Sequence, residues 1–97
     1  MKQSLAIAKD HPAYAGHFPG HPVLPGVVLL AEAIAAIESQ APRPANGWTV
    51  ENAKFLMAVE PGTALTLSHE ALASGGVRFE IHSSAGVVAS GVLAAHA

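Results

Sequence analysis

The stretch VVLLAEAIAAIESQ, residues 27–40, decides the fold of this chain. It contains no Pro, Gly or turn dipeptide, and Pro25-Gly26 before it suits the start of a helix. The segment APRP that follows, residues 41–44, ends the helix. Because the stretch is apolar nearly all the way round until Glu38, it predicts a helix that is buried rather than one that lies on the surface.

Segments with strand-like alternation lie on both sides of this helix. Residues 2–9 alternate weakly and predict a short first strand. After Asn46-Gly47, Phe55, Met57 and Val59 alternate with their neighbours, and three further strands are predicted, one beginning at Leu65 and the others over residues 77–82 and 87–95. This order predicts an α+β fold, an antiparallel sheet around one central apolar helix, in a single domain of residues 1–97.

The composition limits the classes of function. The 97 residues make one small domain, of which 51% are hydrophobic and 12% charged. Five Lys and Arg against seven Asp and Glu give a formal charge of −2, which argues against binding to nucleic acid. The absence of cysteine excludes disulfides and thiolate chemistry. With so little charge, we expect part of the apolar surface to close against another subunit.

The sequence favours a cytoplasmic location without membrane contact. The apolar run near the start of the helix, residues 27–31, is far too short to span a membrane. The first residues, MKQSLAIAKD, reach Lys9-Asp10 too soon for a signal peptide. We therefore expect a soluble, intracellular protein.

The loop before the helix is long for so small a domain; its sequence is HPAYAGHFPGHPVLPG. Long ordered loops in compact domains often carry binding or catalytic residues. It holds three histidines, His11, His17 and His21. Their spacing matches no standard zinc pattern, and neither cysteine nor an acidic cluster lies nearby, so we expect no metal ion. We interpret His11 and His21 as surface residues of the loop.

His17 has a different setting. The glycines and proline of GHFPG, residues 16–20, fix the backbone beside it or allow it to approach a ligand closely. The chain then reaches the helix N-terminus, where backbone N–H groups are unpaired and Gly26 leaves its own accessible to a substrate oxygen. An imidazole beside such donors suits proton abstraction next to a thioester carbonyl. The alternative is a loop that merely caps the helix.

Glu32 favours the catalytic interpretation. An acid in the second turn of an apolar helix is costly to bury in its ionised form, and such a group can act as a general acid. The alternative, a glutamate on a solvent-facing stripe, fits poorly with the neighbours Leu30, Ala33 and Ala35. No serine lies in a nucleophile-elbow pattern, which argues against a serine triad.

The segment AGHFPGHPVLPGVVLLAEAIA, residues 15–35, resembles the active-site segment of the β-hydroxyacyl-acyl carrier protein dehydratases, whose pattern is approximately GHFPGxPVxPGVLxxEAxAQ. FLMAVEPGTALTL, residues 55–67, is similar to the strand-turn-strand that follows in that family. The chain resembles a minimal version of the family. The resemblance implies the hotdog fold and a lyase that dehydrates (3R)-3-hydroxyacyl thioesters to trans-2-enoyl thioesters, in fatty-acid-type biosynthesis and without a cofactor.

The resemblance also implies residue roles and partners. His17 corresponds to the histidine that removes the α-proton, and Gly26 to the glycine whose N–H polarises the thioester carbonyl. The substrate contacts implied are Phe18, Pro19, Gly20, Val23, Pro25 and Val27, with the Val23 carbonyl orienting the imidazole. The substrate would be a thioester of acyl carrier protein, itself a partner, or of CoA. Family members share sites across a dimer, which implies a homodimer or higher homo-oligomer, or else a heterodimer.

The acid departs from the family pattern. The family places Glu or Asp five residues after the glycine of the PG pair, where this chain has Ala31, and Glu32 comes one residue later. One residue turns a side chain by about 100° round a helix. Either the start of the helix absorbs an extra residue, which we favour, or the acid is absent and the chain is a non-catalytic dehydratase-like subunit or acyl-binding module. A hotdog thioesterase in which Glu32 activates a water is a further hypothesis.

Overall fold

The computed structural model describes residues 2–7, 24–40, 44 and 47–95. In chain order the elements are β1 (Lys2–Leu5), α1 (Gly26–Glu38), β2 (Trp48–Phe55), β3 (Leu65–Ala71), β4 (Val77–Ser83) and β5 (Gly86–Ala95). The strands form one antiparallel sheet in the order β1-β3-β4-β5-β2. The predicted architecture, one helix with an antiparallel sheet, is confirmed.

Two predicted strands have different bounds in the structure. The first strand ends at Leu5, and residues 8 and 9 of its predicted range lie outside the described residues. β2 ends at Phe55, so Met57 and Val59 do not continue it as their alternation predicted. The physical reason is that the N–H groups of Leu56 and Met57 both donate to the carbonyl of Val88, at 2.8 and 3.3 Å, which interrupts the regular ladder.

The core lies between the sheet and one side of α1. The helix contributes Leu29, Ala33 and Ile37, which are four residues apart and therefore lie on one face. The strands add their inward side chains, which are Leu5, Leu65, Leu67, Val77, Phe79, Ile81, Val88, Ala89 and Leu93.

The opposite stripe of α1 is exposed in this single chain. It consists of Val27, Ala31 and Ala35, and Val27 is 75% exposed. In the chain taken alone, the prediction of a buried helix is therefore confirmed for one side of α1 and wrong for the outer stripe. The sheet packs against only one side of the helix. The described strands therefore make no contact that buries the apolar residues of the outer stripe. No helix in the described part of the chain is long and apolar enough to cross a membrane.

The two edge strands hold α1 between them. The first residue of β2, Trp48, bonds to Glu38 at the end of the helix, and the last residue of β2, Phe55, packs against Gly26 at its start. β2 therefore runs antiparallel to α1 along one flank. On the other flank, Gln3 of β1 donates from Nε2 to the carbonyl of Ala36, at 3.2 Å. Because β1 and β2 are opposite edges, the sheet curls around the helix.

The pairing of β2 with β5 contains one irregularity. Val50 lies opposite Leu93 and Asn52 lies opposite Val92, so Glu51 is the extra residue on the β2 side. Such a bulge bends a strand and increases its twist. Here it occurs on a strand that forms the edge of the sheet.

Candidate active site

The predicted site divides between described and undescribed residues. Its loop members lie outside the described residues, and their predicted roles stay predictions; they are His17, Phe18, Pro19, Gly20 and Val23. The described members are Pro25, Gly26, Val27 and Glu32, and the structure places all four at the junction into α1 or in its first two turns.

The start of α1 is suited to bind a partially negative oxygen. Pro25 is extended, with φ −59° and ψ 143°, and its carbonyl accepts the N–H groups of Val28 and Leu29, at 3.0 and 3.1 Å. Among the described residues, neither Gly26 N–H nor Val27 N–H donates to a backbone carbonyl. The first turn holds no acidic side chain, so the partial positive charge at this helix end is not cancelled by a neighbouring carboxylate of the turn.

An aromatic ring covers Gly26 from one side. A Cβ atom built on Gly26 lies 3.2 Å from three carbons of the Phe55 ring, Cδ1, Cε1 and Cζ. A side chain at this position fits only if the ring moves by a few tenths of an ångström. The sequence reasoning did not identify Phe55, because its approach to Gly26 depends on β2 running back along α1, which the alternation pattern does not specify.

Glu32 and Ala31 occupy different sides of the helix. Ala31 is exposed on the outer stripe, whereas Glu32 is half-buried. Glu32 lies four residues before Ala36, whose carbonyl receives the bond from Gln3, so it belongs to the flank of α1 that faces β1. The chain that leaves β1 continues in sequence into the loop that contains His17.

A patch of large apolar side chains is exposed around β2 and the start of α1. We call it the β2 patch; its members are Val27, Val50, Phe55, Leu56 and Met57, each at least 41% exposed. Exposed apolar groups of this size in one region mark sites of interaction rather than ordinary surface. The patch borders β2, which is an edge of the sheet that the described strands form.

Three further titratable groups, His69, Glu70 and Arg78, belong to β3 and β4. His69 of β3 is buried beside the core, and burial lowers its pKa because desolvation disfavours the imidazolium. On the outer face of the sheet, Arg78 Nη1 lies 3.0 Å from Glu70 Oε1. Within the described residues, no three His, Asp or Glu side chains are grouped so that they could hold a metal ion.

Comparison with known proteins identifies relatives over nearly the whole chain. The family model ApeI-like, described as ApeI dehydratase, matches residues 1–92. The 3-hydroxyacyl-[acyl-carrier-protein] dehydratase FabZ of Thermus thermophilus is 42% identical over an alignment that covers 69% of this chain and 53% of that protein. The chain thus spans about half the length of the curated relatives it matches.

Solved structures match the fold more completely. A chain of the dehydratase heterocomplex ApeI:P from Xenorhabdus doucetiae has a TM-score of 0.79 at 23% identity, over 96% of this chain and 83% of that one. A variant of the fluoroacetyl-CoA-specific thioesterase FlK has a TM-score of 0.66 at 17% identity, over 96% and 84%. At these identities the likeness concerns the fold alone, and it confirms the predicted hotdog fold.

Proposed function

This chain belongs to the ApeI-like dehydratase family, and from that premise we propose that it dehydrates (3R)-3-hydroxyacyl thioesters to trans-2-enoyl thioesters in fatty-acid-type biosynthesis. The substrate is carried on acyl carrier protein, as the name of the FabZ relative says for that protein, or on CoA. The chain would act as a lyase without a redox cofactor, because the elimination of water needs only an acid, a base and a site for negative charge.

The observation that carries the proposal is the start of α1. Gly26 has no side chain, its N–H donates to no backbone carbonyl among the described residues, and the first turn lacks acidic groups. A thioester oxygen placed there accepts a hydrogen bond in a region of positive potential. Negative charge develops on this oxygen when the α-proton leaves, so the donor stabilises the enolate more than the substrate.

The proposed mechanism uses two further groups. His17 removes the proton from C2, with its imidazole oriented by the Val23 carbonyl, and the electrons move toward the carbonyl oxygen bound by Gly26 N–H. Glu32 then protonates the hydroxyl on C3, the C3–O bond breaks, water leaves, and the double bond forms between C2 and C3. Further contacts would hold the thioester in the correct position relative to these groups; they are expected from Phe18, Pro19, Gly20, Pro25 and Val27.

The position of Glu32 supports its assignment as the acid. It is half-buried on the flank of α1 that faces β1, and half-burial suits a group that must exchange a proton with a substrate. Ala31 has only a methyl group and lies on the exposed outer stripe. We therefore propose that the start of the helix absorbs the extra residue and that Glu32 takes the position of the family acid.

The β2 patch supports an oligomer. Three of its members, Val50, Leu56 and Met57, lie exposed on β2 or directly after it, and β2 is an edge of the sheet among the described strands. A second copy that covers these three side chains would remove apolar surface from water and pair with this edge, leaving Phe55 and Val27 to the substrate. We propose a homodimer formed through this region. The ApeI:P neighbour is by its title a heterocomplex, so a homologous dehydratase subunit is the alternative occupant.

The test of the proposed function is the reverse reaction, hydration of a trans-2-enoyl pantetheine thioester by the purified protein. Loss of the conjugated enoyl absorbance without release of thiol is the expected result. Release of thiol would instead identify a thioesterase. Neither change, from a folded protein, would contradict the proposal and leave a non-catalytic subunit as the explanation.

A further inference from the structure

The backbone at Phe55 and directly after it pairs with β5. Phe55 lies opposite Ala89 at the end of β2, and the next two N–H groups, those of Leu56 and Met57, both donate to the carbonyl of Val88. The backbone that carries the ring is therefore fixed, and the ring lies 3.2 Å from the position that a Cβ atom of Gly26 would occupy. Its position relative to the start of α1 is set by the pairing of the sheet rather than by a free loop.

The same ring is only half covered by the chain. Phe55 is 48% exposed, whereas Ala53, two residues earlier on the same strand, is half-buried. Aromatic rings dominate binding energetics where they are held rigidly and present an apolar face. Val27, 75% exposed and adjacent to Gly26, provides a second apolar surface beside the same N–H group.

We propose that the exposed face of Phe55 contacts the apolar acyl group of the substrate next to its thioester carbonyl, and that this contact positions the carbonyl on Gly26 N–H. The inference rests on the proposed function, in which Gly26 N–H is the carbonyl donor. The Phe55 ring lies 3.2 Å from the position that a Cβ atom of Gly26 would occupy, two bonds from the Gly26 nitrogen. A carbonyl that accepts the N–H of Gly26 therefore brings the first acyl carbons close to this ring. Phe55 is thus a positioning residue that also limits the entry of water on one side of the carbonyl.

Three variants separate this role from a structural one. Phe55→Ala removes the ring, and Phe55→Leu keeps an apolar side chain of intermediate size. Val92→Ala is the matched control, because Val92 is a half-buried apolar residue that pairs with Arg78 and Asn52 on the outer face of the sheet. Circular dichroism and light scattering confirm that each protein is folded and in the same oligomeric state as the unmodified protein.

The first measurement is the dissociation constant of hexanoyl pantetheine, a saturated thioester that cannot be hydrated or dehydrated, by calorimetry. We expect Phe55→Ala to weaken binding by about tenfold or more, Phe55→Leu to have a smaller effect, and Val92→Ala to bind as the unmodified protein does. The second measurement is the hydration of trans-2-hexenoyl pantetheine, for which we expect Phe55→Ala to raise KM by a similar factor.

The outcomes distinguish the two proposals. Binding by Phe55→Ala equal to that of Val92→Ala overturns the role of Phe55. If the unmodified protein binds hexanoyl pantetheine without hydrating the enoyl thioester, the proposed function fails while the binding constants still decide the role of Phe55. If the unmodified protein does not bind the saturated thioester at all, both proposals are wrong. If Phe55→Ala does not fold, the Phe55→Leu constants decide.

Discussion

The indole Nε1 of Trp48 donates a 2.9 Å hydrogen bond to Oε2 of Glu38, which ties the first residue of β2 to the last residue of α1. The C-terminal end of a helix carries partial negative charge, so a carboxylate there is unfavourable unless a donor offsets it. Together with the packing of Phe55 on Gly26, this bond fixes both ends of α1 against β2. These two contacts help to place the helix start, and with it the candidate active site.

Replacing Trp48 with Phe tests the first contact. The variant keeps an aromatic ring and loses the N–H donor, so we expect the free energy of unfolding to fall by about 1 kcal/mol. Urea denaturation measures this loss. Glu38→Gln, which retains an acceptor oxygen, should cost less. An unchanged free energy in Trp48→Phe would show that the bond adds nothing to stability.

Glu32→Gln should reduce turnover without loss of folding. Removing a general acid typically costs about 10²–10⁴ in rate, and we expect at least the lower value in the hydration assay. Glu51→Gln, an exposed acid on β2, is the control and should retain full activity. Moving the acid, in the double variant Ala31→Glu with Glu32→Ala, should not restore activity; recovery would show that the family position is Ala31 after all.

Gly91→Ala should destabilise the sheet. A Cβ atom there would lie 2.6 Å from the carbonyl oxygen of Asn52 and 2.8 Å from Cζ of Phe79, which is a core residue. Overpacking of this kind costs about 1–3 kcal/mol, which thermal unfolding detects as a lower Tm. Ser90→Ala, next in the chain and half-buried, serves as the control and should have little effect.

Val50→Glu should weaken the proposed dimer. Val50 is 42% exposed on the edge strand, and a charge there opposes burial against a second copy. We expect light scattering to show a shift from dimer toward monomer at micromolar concentration. Thr66→Glu places the same charge at an exposed position of β3 and should leave the dimer intact. A dimer that survives Val50→Glu would locate the interface elsewhere.

His69 should make stability fall in mild acid. Burial holds its folded-state pKa below the ordinary value of 6.5, so the unfolded chain takes up the proton first as the pH falls. The stabilising contribution is therefore present above 6.5 and is lost below it. Urea unfolding at about pH 7.5 and about pH 5.5 should show a smaller difference for His69→Leu than for the unmodified protein. Equal differences would contradict the prediction.

The sequence predicted the helix and the strands well where the hydrophobic periodicity and the positions of proline and glycine agreed. α1 lies within two residues of its predicted end, and β4 follows the alternation from Val77. The predicted β2 extends too far, because the apolar alternation from Phe55 to Val59 continues past the point where the backbone leaves the ladder. Side-chain alternation carries no information about which carbonyl an N–H group reaches.

For the candidate site, the sequence proposes the chemistry and leaves most of the geometry open. Gly26 and Glu32 are proposed from the composition of the helix and its start and from a family resemblance, and their roles stay predictions. Phe55 was missed because its contact with Gly26 joins residues 29 positions apart in the chain through the topology of the sheet. The pattern of apolar residues likewise predicts that the surface of α1 is buried from water, but it does not show whether a strand or a second subunit buries it.

The bulge at Glu51 has a consequence for the behaviour of this protein at high concentration. An open edge that accepts one strand is also a template for unlimited strand addition, the route to fibrils. The bulge bends the edge, and the charged side chains of Glu51 and Lys54 lie exposed along it. Both features are means by which natural sheets oppose such growth. We therefore regard β2 as an edge adapted to a single closed pairing and protected against polymerisation.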